Sequence, residues 1–222
     1  MAKKALLVGG CAYTFHQLEP IVPHIQAVLE SLGVELTATG IYHPDGKAEF
    51  HGDYSALIAE NLAEYDLLVL YTTGNDRRGA EPDSVRAFVE SGKALVGIHN
   101  ATDSFTDDPA FVQFMGGRFR THPAQLDITA EIVDSEHPIT QGVPTFTVWD
   151  ELYLFADYDP ANVHVLAQTN SYAEETSVPV AWVREPGAGR LFYLSLGHNP
   201  TTMENPDWQR LFGNGVTWVL RG

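Results

Sequence analysis

Apolar positions fall into two rhythms along this chain. The run Ala5-Leu6-Leu7-Val8-Gly9-Gly10 is apolar without interruption and closes on glycines, the pattern of a strand buried on both faces of a parallel sheet. From Leu18 to Leu32 the apolar residues Ile21, Ile25, Val28, Leu29 and Leu32 recur at helical spacing, and Gly33 stands where such a helix would be capped. Val34 to Thr39 alternates as a second strand, Tyr54 to Leu62 reads as a short helical stretch, and Asp66 to Tyr71 reads as a third strand leading into Thr73-Gly74-Asn75. Glu81-Pro82 opens another helix with proline in its first turn, Val85, Phe88 and Val89 inward, and Gly92 as its stop. Ala94 to Ile98 is a fourth strand.

Strands and helices alternating in this way predict right-handed βαβ units and a doubly wound, mostly parallel sheet. The second half changes character. Asp127 to Asp134, Thr145 to Phe155, Val163 to Thr169, Val178 to Arg184 and Gly189 to Leu196 read as strands with few helices between them, and Trp208 to Leu220 returns to helix. With no internal repeat, low-complexity stretch or linker in view, residues 1–222 are expected to form a single α/β domain with antiparallel strands added at one edge.

Composition narrows the function. The chain has 222 residues, 44% of them hydrophobic and 19% charged, an ordinary globular balance. Its formal charge of −16 speaks against a nucleic-acid partner, which needs a clustered basic face, and against an anionic membrane surface. The longest basic cluster is the pair Arg77-Arg78. No apolar run approaches the roughly 20 residues of a membrane helix. The apolar run after Met-Ala-Lys-Lys is too short for a signal peptide and reads as the first core strand. Cys11, the single cysteine, allows no internal disulfide. A cytoplasmic protein is expected.

In open α/β sheets ligands bind beyond the carboxyl ends of the strands. Three strand ends here carry a histidine. The first strand exits into a loop ending at Phe15-His16, the fourth into Gly97-Ile98-His99-Asn100-Ala101-Thr102-Asp103, and the last into Ser195-Leu196-Gly197-His198-Asn199. The middle segment, strand then Gly-x-His-x-Ala then helix, is similar to a nucleophile elbow, in which small neighbours allow a sharp turn that exposes one side chain. Serine or cysteine is the usual occupant of such a turn. An imidazole there can bind a metal, act as acid or base, or hydrogen-bond a substrate, but it is a poor acyl-forming nucleophile.

Val96-Gly97-Ile98-His99-Asn100-Ala101-Thr102-Asp103-Ser104-Phe105 followed by Met115-Gly116-Gly117-Arg118-Phe119-Arg120-Thr121-His122-Pro123 resembles the ThuA-like (trehalose utilisation) family. His137-Pro138-Ile139-Thr140, Asp150-Glu151-Leu152-Tyr153, Pro179-Val180-Ala181-Trp182-Val183, Gly187-Ala188-Gly189-Arg190-Leu191-Phe192-Tyr193 and Leu196-Gly197-His198 extend the likeness over nearly the whole chain. The resemblance implies the flavodoxin-like fold of class I glutamine amidotransferases without their catalytic cysteine, hence no glutaminase activity. It also implies a role in sugar metabolism, linked to trehalose, related disaccharides and their 3-keto derivatives. One departure is visible: where family members often carry a histidine-rich stretch with glutamate, this chain has Phe15-His16-Gln17-Leu18-Glu19.

The expected catalytic groups are His99, His198, Glu151 and Asp103, each with a bland alternative. His99 and His198 could hold their turns by hydrogen bonding. Asp103 could serve only the dipole of the helix after the elbow. Glu151 lies in a strand pattern that puts it on one face with Tyr153, where a raised pKa would suit an acid or base, or where the face is simply exposed. Tyr13, His122, Tyr153 and Asn100 are the expected substrate contacts, and Trp149 could also stack on a sugar ring. Cys11 reads as a small buried hydrophobe. NAD and ATP are not expected, since neither a Gly-x-Gly-x-x-Gly nor a Gly-Lys-Ser motif is present. A divalent metal, zinc or manganese, held by His16, His99 and His198 is an alternative that no short-range His-x-x-x-His spacing supports.

Three functions remain open: an enzyme on a sugar or keto-sugar, a non-catalytic module that binds sugar or docks on a sugar oxidoreductase, and a hydrolase of another class, which the missing elbow Ser or Cys disfavours. Homo-oligomers fit any of them.

Overall fold

A computed structural model describes residues 2–10, 16–39, 54–75 and 82–221. Cys11, Tyr13 and the Arg77-Arg78 pair lie outside the described residues. The first half runs β1 (Lys3–Gly10), α1 (Val22–Ser31), β2 (Val34–Thr39), a 3-10 turn at Tyr54–Leu57, α2 (Ala59–Leu62), β3 (Leu67–Thr72), α3 (Pro82–Glu90) and β4 (Ala94–Ile98). A second 3-10 turn, His99–Asp103, leads to α4 (Pro109–Met115). Then follow β5 (Arg118–Thr121), β6 (Leu126–Ile132), β7 (Phe146–Asp150), β8 (Leu154–Ala156), β9 (His164–Thr169), β10 (Val178–Arg184), β11 (Arg190–Leu194), α5 (Pro200–Glu204) and α6 (Pro206–Val219).

Among the described residues nine strands form one sheet in the order β2-β1-β3-β4-β11-β10-β9-β6-β7. The first five are parallel, in the flavodoxin-like order, and the last four add on antiparallel, as the strand-rich second half predicts. Strand alternation divides the core. Leu7, Val69, Val96 and Phe192 face α1 and α6 through Ile25, Leu29, Leu211 and Phe212. Leu6, Leu68, Leu95 and Leu191 face α3 and α4 through Val85, Phe88, Phe111 and Met115. Helix α1 ends as its sequence predicts, with Gly33 left-handed at φ 71°.

The differences lie where polar side chains override the apolar rhythm. The expected strand from Thr145 to Phe155 is two strands, because the Asp150 carboxylate takes the Glu151 N–H at 2.7 Å and ends β7. Glu151 and Tyr153 therefore sit on a break between strands and not on one strand face. The helix after the elbow is a single 3-10 turn, and β8 pairs with β5 in a separate two-stranded ribbon. The free edge of β7 is covered: the Trp149 carbonyl accepts from Asn199 and Thr202, and the Thr147 carbonyl accepts from Asn205. Among the described residues no helix is long and apolar enough to cross a membrane.

Candidate active site

At the carboxyl edge of the parallel strands, the sheet delivers side chains from four separate segments to one point. His99 follows β4 directly and is fully buried, at φ 43° in the left-handed region that non-glycine residues rarely occupy. Such a turn is held by its surroundings. The Tyr193 hydroxyl donates to the His99 carbonyl at 2.6 Å and receives from the Thr102 hydroxyl at 2.9 Å. The elbow read from Gly97-Ile98-His99-Asn100-Ala101 is thus present in the backbone.

The His99 ring is oriented by the end of the neighbouring strand. Its Nδ1 lies 2.8 Å from the Ser195 carbonyl, which can only accept, so Nδ1 carries the proton and Nε2 presents its lone pair to the cluster. His198 Nδ1 stands 3.2 Å from that Nε2 and 3.2 Å from Glu151 Oε2, while His99 Nε2 to Glu151 Oε2 is 3.5 Å. His16, buried after β1, closes the group, its ring 5.1 Å from that of His99 and 5.2 Å from that of His198. Its Nδ1 is 3.1 Å from the Thr73 hydroxyl and its Nε2 is 3.5 Å from the Tyr153 hydroxyl. The Tyr153 ring lies against His99 and Phe119, at 4.1 Å and 4.2 Å. His122, at the exposed rim, donates from Nδ1 to the Pro123 carbonyl at 2.8 Å and turns Nε2 toward Glu151 at 3.7 Å.

One ligand atom from each of His16, His99, His198 and Glu151 lies within 4.8 Å of the others. Zinc–nitrogen and zinc–oxygen bonds of about 2.0–2.2 Å put tetrahedral ligand atoms about 3.3–3.6 Å apart. The edges of 3.2, 3.2 and 3.5 Å among His99, His198 and Glu151 match that spacing. Three imidazoles and one carboxylate suit a divalent transition metal.

Electrostatics separates these groups. Burial, reinforced by the neighbouring imidazoles His99, His198 and His122, pushes His16 down to about 2. Burial and then His99 push His198 down to about 4, against the pull of Glu151. Both rings are thus neutral, with lone pairs to offer. Burial lifts Asp103 to about 6, partly opposed by His99. Glu151 corrects an expectation. Burial alone would raise its carboxyl, but the neighbouring imidazoles, His99 first and then His198 and His122, outweigh it and hold Glu151 below the usual carboxylate range.

These shifts set a pH dependence. Between pH 6.5 and 4 the unfolded chain protonates His198 while the native protein does not, so stability falls as pH falls through that window. His16 acts in the same sense to lower pH, and Asp103 acts in the opposite sense between 6 and 3.8. In chelator, His198→Asn should flatten the acid side of the stability curve by up to about 1.4 kcal/mol per pH unit. Chemical denaturation at pH 4.5, 5.5 and 6.5 checks this; parallel curves for the two proteins would refute it.

The structure therefore gathers His16, His99, His198, Glu151, Tyr153 and His122. Asn100 follows His99 and is fully buried, and among the described residues neither polar end of its amide has a hydrogen-bond partner. Trp149 is 54% exposed on β7. Four neighbours escaped the sequence reading: Thr73, Phe119, Tyr193 and Asp150. Asp150 was the legible one, a charge on the same face of β7 as Phe146 and Val148.

No curated protein matches the sequence. A ThuA-like protein from Bacteroides uniformis superposes with a TM-score of 0.78 at 23% identity, over 98% of this chain and 91% of that one. Another from Parabacteroides merdae gives 0.79 at 20% identity, over 99% and 90%. A cytoplasmic protein from Salmonella typhimurium gives 0.59 at 13% identity, over 99% of each. The sequence pattern of ThuA, described as trehalose utilisation, matches residues 4–219. On that match, spanning nearly its full length, the chain belongs to the ThuA family.

Proposed function

We propose that the chain is an enzyme of sugar metabolism that performs acid–base chemistry on a keto-disaccharide or glycoside, at a divalent-metal centre held by His16, His99, His198 and Glu151. The observation that carries this reading is the convergence of those four donors at one point. A divalent ion held there would supply Lewis-acid polarisation of a sugar oxygen.

The protein's own groups do the rest. His99 is locked by the Ser195 carbonyl in the tautomer that offers Nε2 inward. Asp103, with its carboxyl lifted to about 6, is suited to take a proton from the carbon beside a carbonyl and return it. The Tyr153 hydroxyl stays protonated, because burial and then Tyr193 and Glu151 push it well above its ordinary value, so it is a donor for a sugar oxygen. His122 and Phe119 form a rim against which a pyranose ring packs. A sugar oxidoreductase is the partner class that would supply the carbonyl.

Metal analysis of untreated protein should find about one divalent ion per chain, zinc or manganese. Incubation with a 3-keto-glycoside in deuterium oxide should place deuterium at the carbon beside the carbonyl, and chelator should abolish both exchange and product. Protein that binds the keto-sugar yet exchanges no deuterium and forms no product would instead be a sugar-binding or partner-docking module.

A further inference from the structure

The cluster has a support that none of the four donors provides. Asp150 is the last residue of β7 and is fully buried, on the strand face it shares with Phe146 and Val148. Its Oδ1 accepts the Glu151 N–H at 2.7 Å and the His198 N–H at 3.1 Å, and its Oδ2 accepts the Gly197 N–H at 2.7 Å. A buried carboxylate is costly unless its oxygens are satisfied, and here backbone donors from two distant segments satisfy it.

We propose that Asp150 is the positioning residue of the site, fixing the two loops that carry Glu151 and His198 so that their donor atoms meet. Glu151 and His198 lie on separate segments, one leaving β7 and one leaving β11. Asp150 bonds to the backbone of both and to Gly197 between β11 and His198. Asparagine in its place offers a single acceptor oxygen, and its NH2 group opposes one of the three N–H donors. This role deepens the metal-centre reading and rests on it for its consequence, though the anchoring of the two loops is measurable without any ion.

The test compares wild type, Asp150→Asn and Val85→Ala, a cavity-forming change in α3 on the far face of the sheet. Outer-sphere partners of metal ligands typically govern about 10–100-fold in metal affinity. Competition with a chelator should show Zn²⁺ or Mn²⁺ binding to Asp150→Asn weakened by about that factor. Val85→Ala should lose melting temperature and keep wild-type affinity. Amide hydrogen exchange should quicken in Asp150→Asn at Glu151, Gly197 and His198. If Asp150→Asn does not fold, Asp150→Ser, which leaves room for water at the three N–H groups, takes its place. Affinity no weaker than in Val85→Ala overturns the inference while leaving the proposed function standing. If wild type holds neither ion the proposed function falls, and the three amides then decide: faster exchange supports the anchoring role and unchanged exchange overturns it.

Discussion

His99→Ala is expected to abolish divalent-ion binding and with it turnover on a keto-glycoside, a loss at least as large as the roughly 10²–10⁴-fold that one positioned acid–base group contributes. His99 faces both His198 and Glu151 and takes its orientation from a strand end, through the Ser195 carbonyl. Truncation removes a ligand and takes away the imidazole that does most to hold the Glu151 carboxyl down. Stability separates the site from the scaffold. The backbone at φ 43° is strained for alanine and relaxed for glycine, so His99→Gly should be equally inactive yet more stable than His99→Ala by about 1–2 kcal/mol. Calorimetric titration with zinc and chemical denaturation of both variants measure the two effects. Ion binding that survives either substitution would remove His99 from the centre, and equal stabilities would mean that the turn relaxes once the imidazole is gone.

The second large effect lies away from the chemistry. In the Gly187-Ala188-Gly189 turn before β11, a Cβ on Gly189 would overlap the backbone carbonyl oxygens of Val89 and Lys93. Those oxygens belong to the end of α3 and the entry to β4, so neither can swing aside as a side chain would. Overpacking in a well-packed interior commonly costs 1–3 kcal/mol, and a collision with main chain belongs at or above the top of that range, about 3 kcal/mol. For a chain of this size Gly189→Ala should then melt about 6–12 °C lower than wild type. Because β11 leads into His198, ion affinity should fall as well. A melting temperature matching wild type would show that the turn can lift off α3 without loss.

The parallel half of the fold is plain in the sequence because its strands are buried on both faces and its helices are amphipathic. Ala94 to Ile98 is an uninterrupted apolar run, and its boundaries in the sequence are those of β4. The antiparallel half is less plain. Thr145 to Phe155 reads as one strand because its apolar residues continue past Asp150, and only the three-dimensional fold brings Gly197 and His198 to that carboxylate. The short β5 is even harder to read, since Arg118 and Arg120 pair with Asp157 and Glu175 and no apolar stripe marks it. At the site, histidines at strand ends were enough to suggest His16, His99 and His198, because a parallel sheet points its carboxyl ends the same way. The pKa of Glu151 could not be read in advance: its sign depends on three imidazoles arriving from β4, β5 and β11.

The covered edge of β7 bears on how copies of the chain can associate. A bare outer strand invites another chain to add to the sheet, the route by which many β-rich proteins aggregate. Here Asn199, Thr202 and Asn205 occupy the outward carbonyls of Trp149 and Thr147, so an incoming strand would first have to displace three side chains. Self-association at this end is directed away from end-to-end sheet extension, and a dimer formed there must use side chains such as the exposed Trp149 ring. A closed, face-packed pair is compatible with that geometry; an open-ended filament growing strand by strand is not.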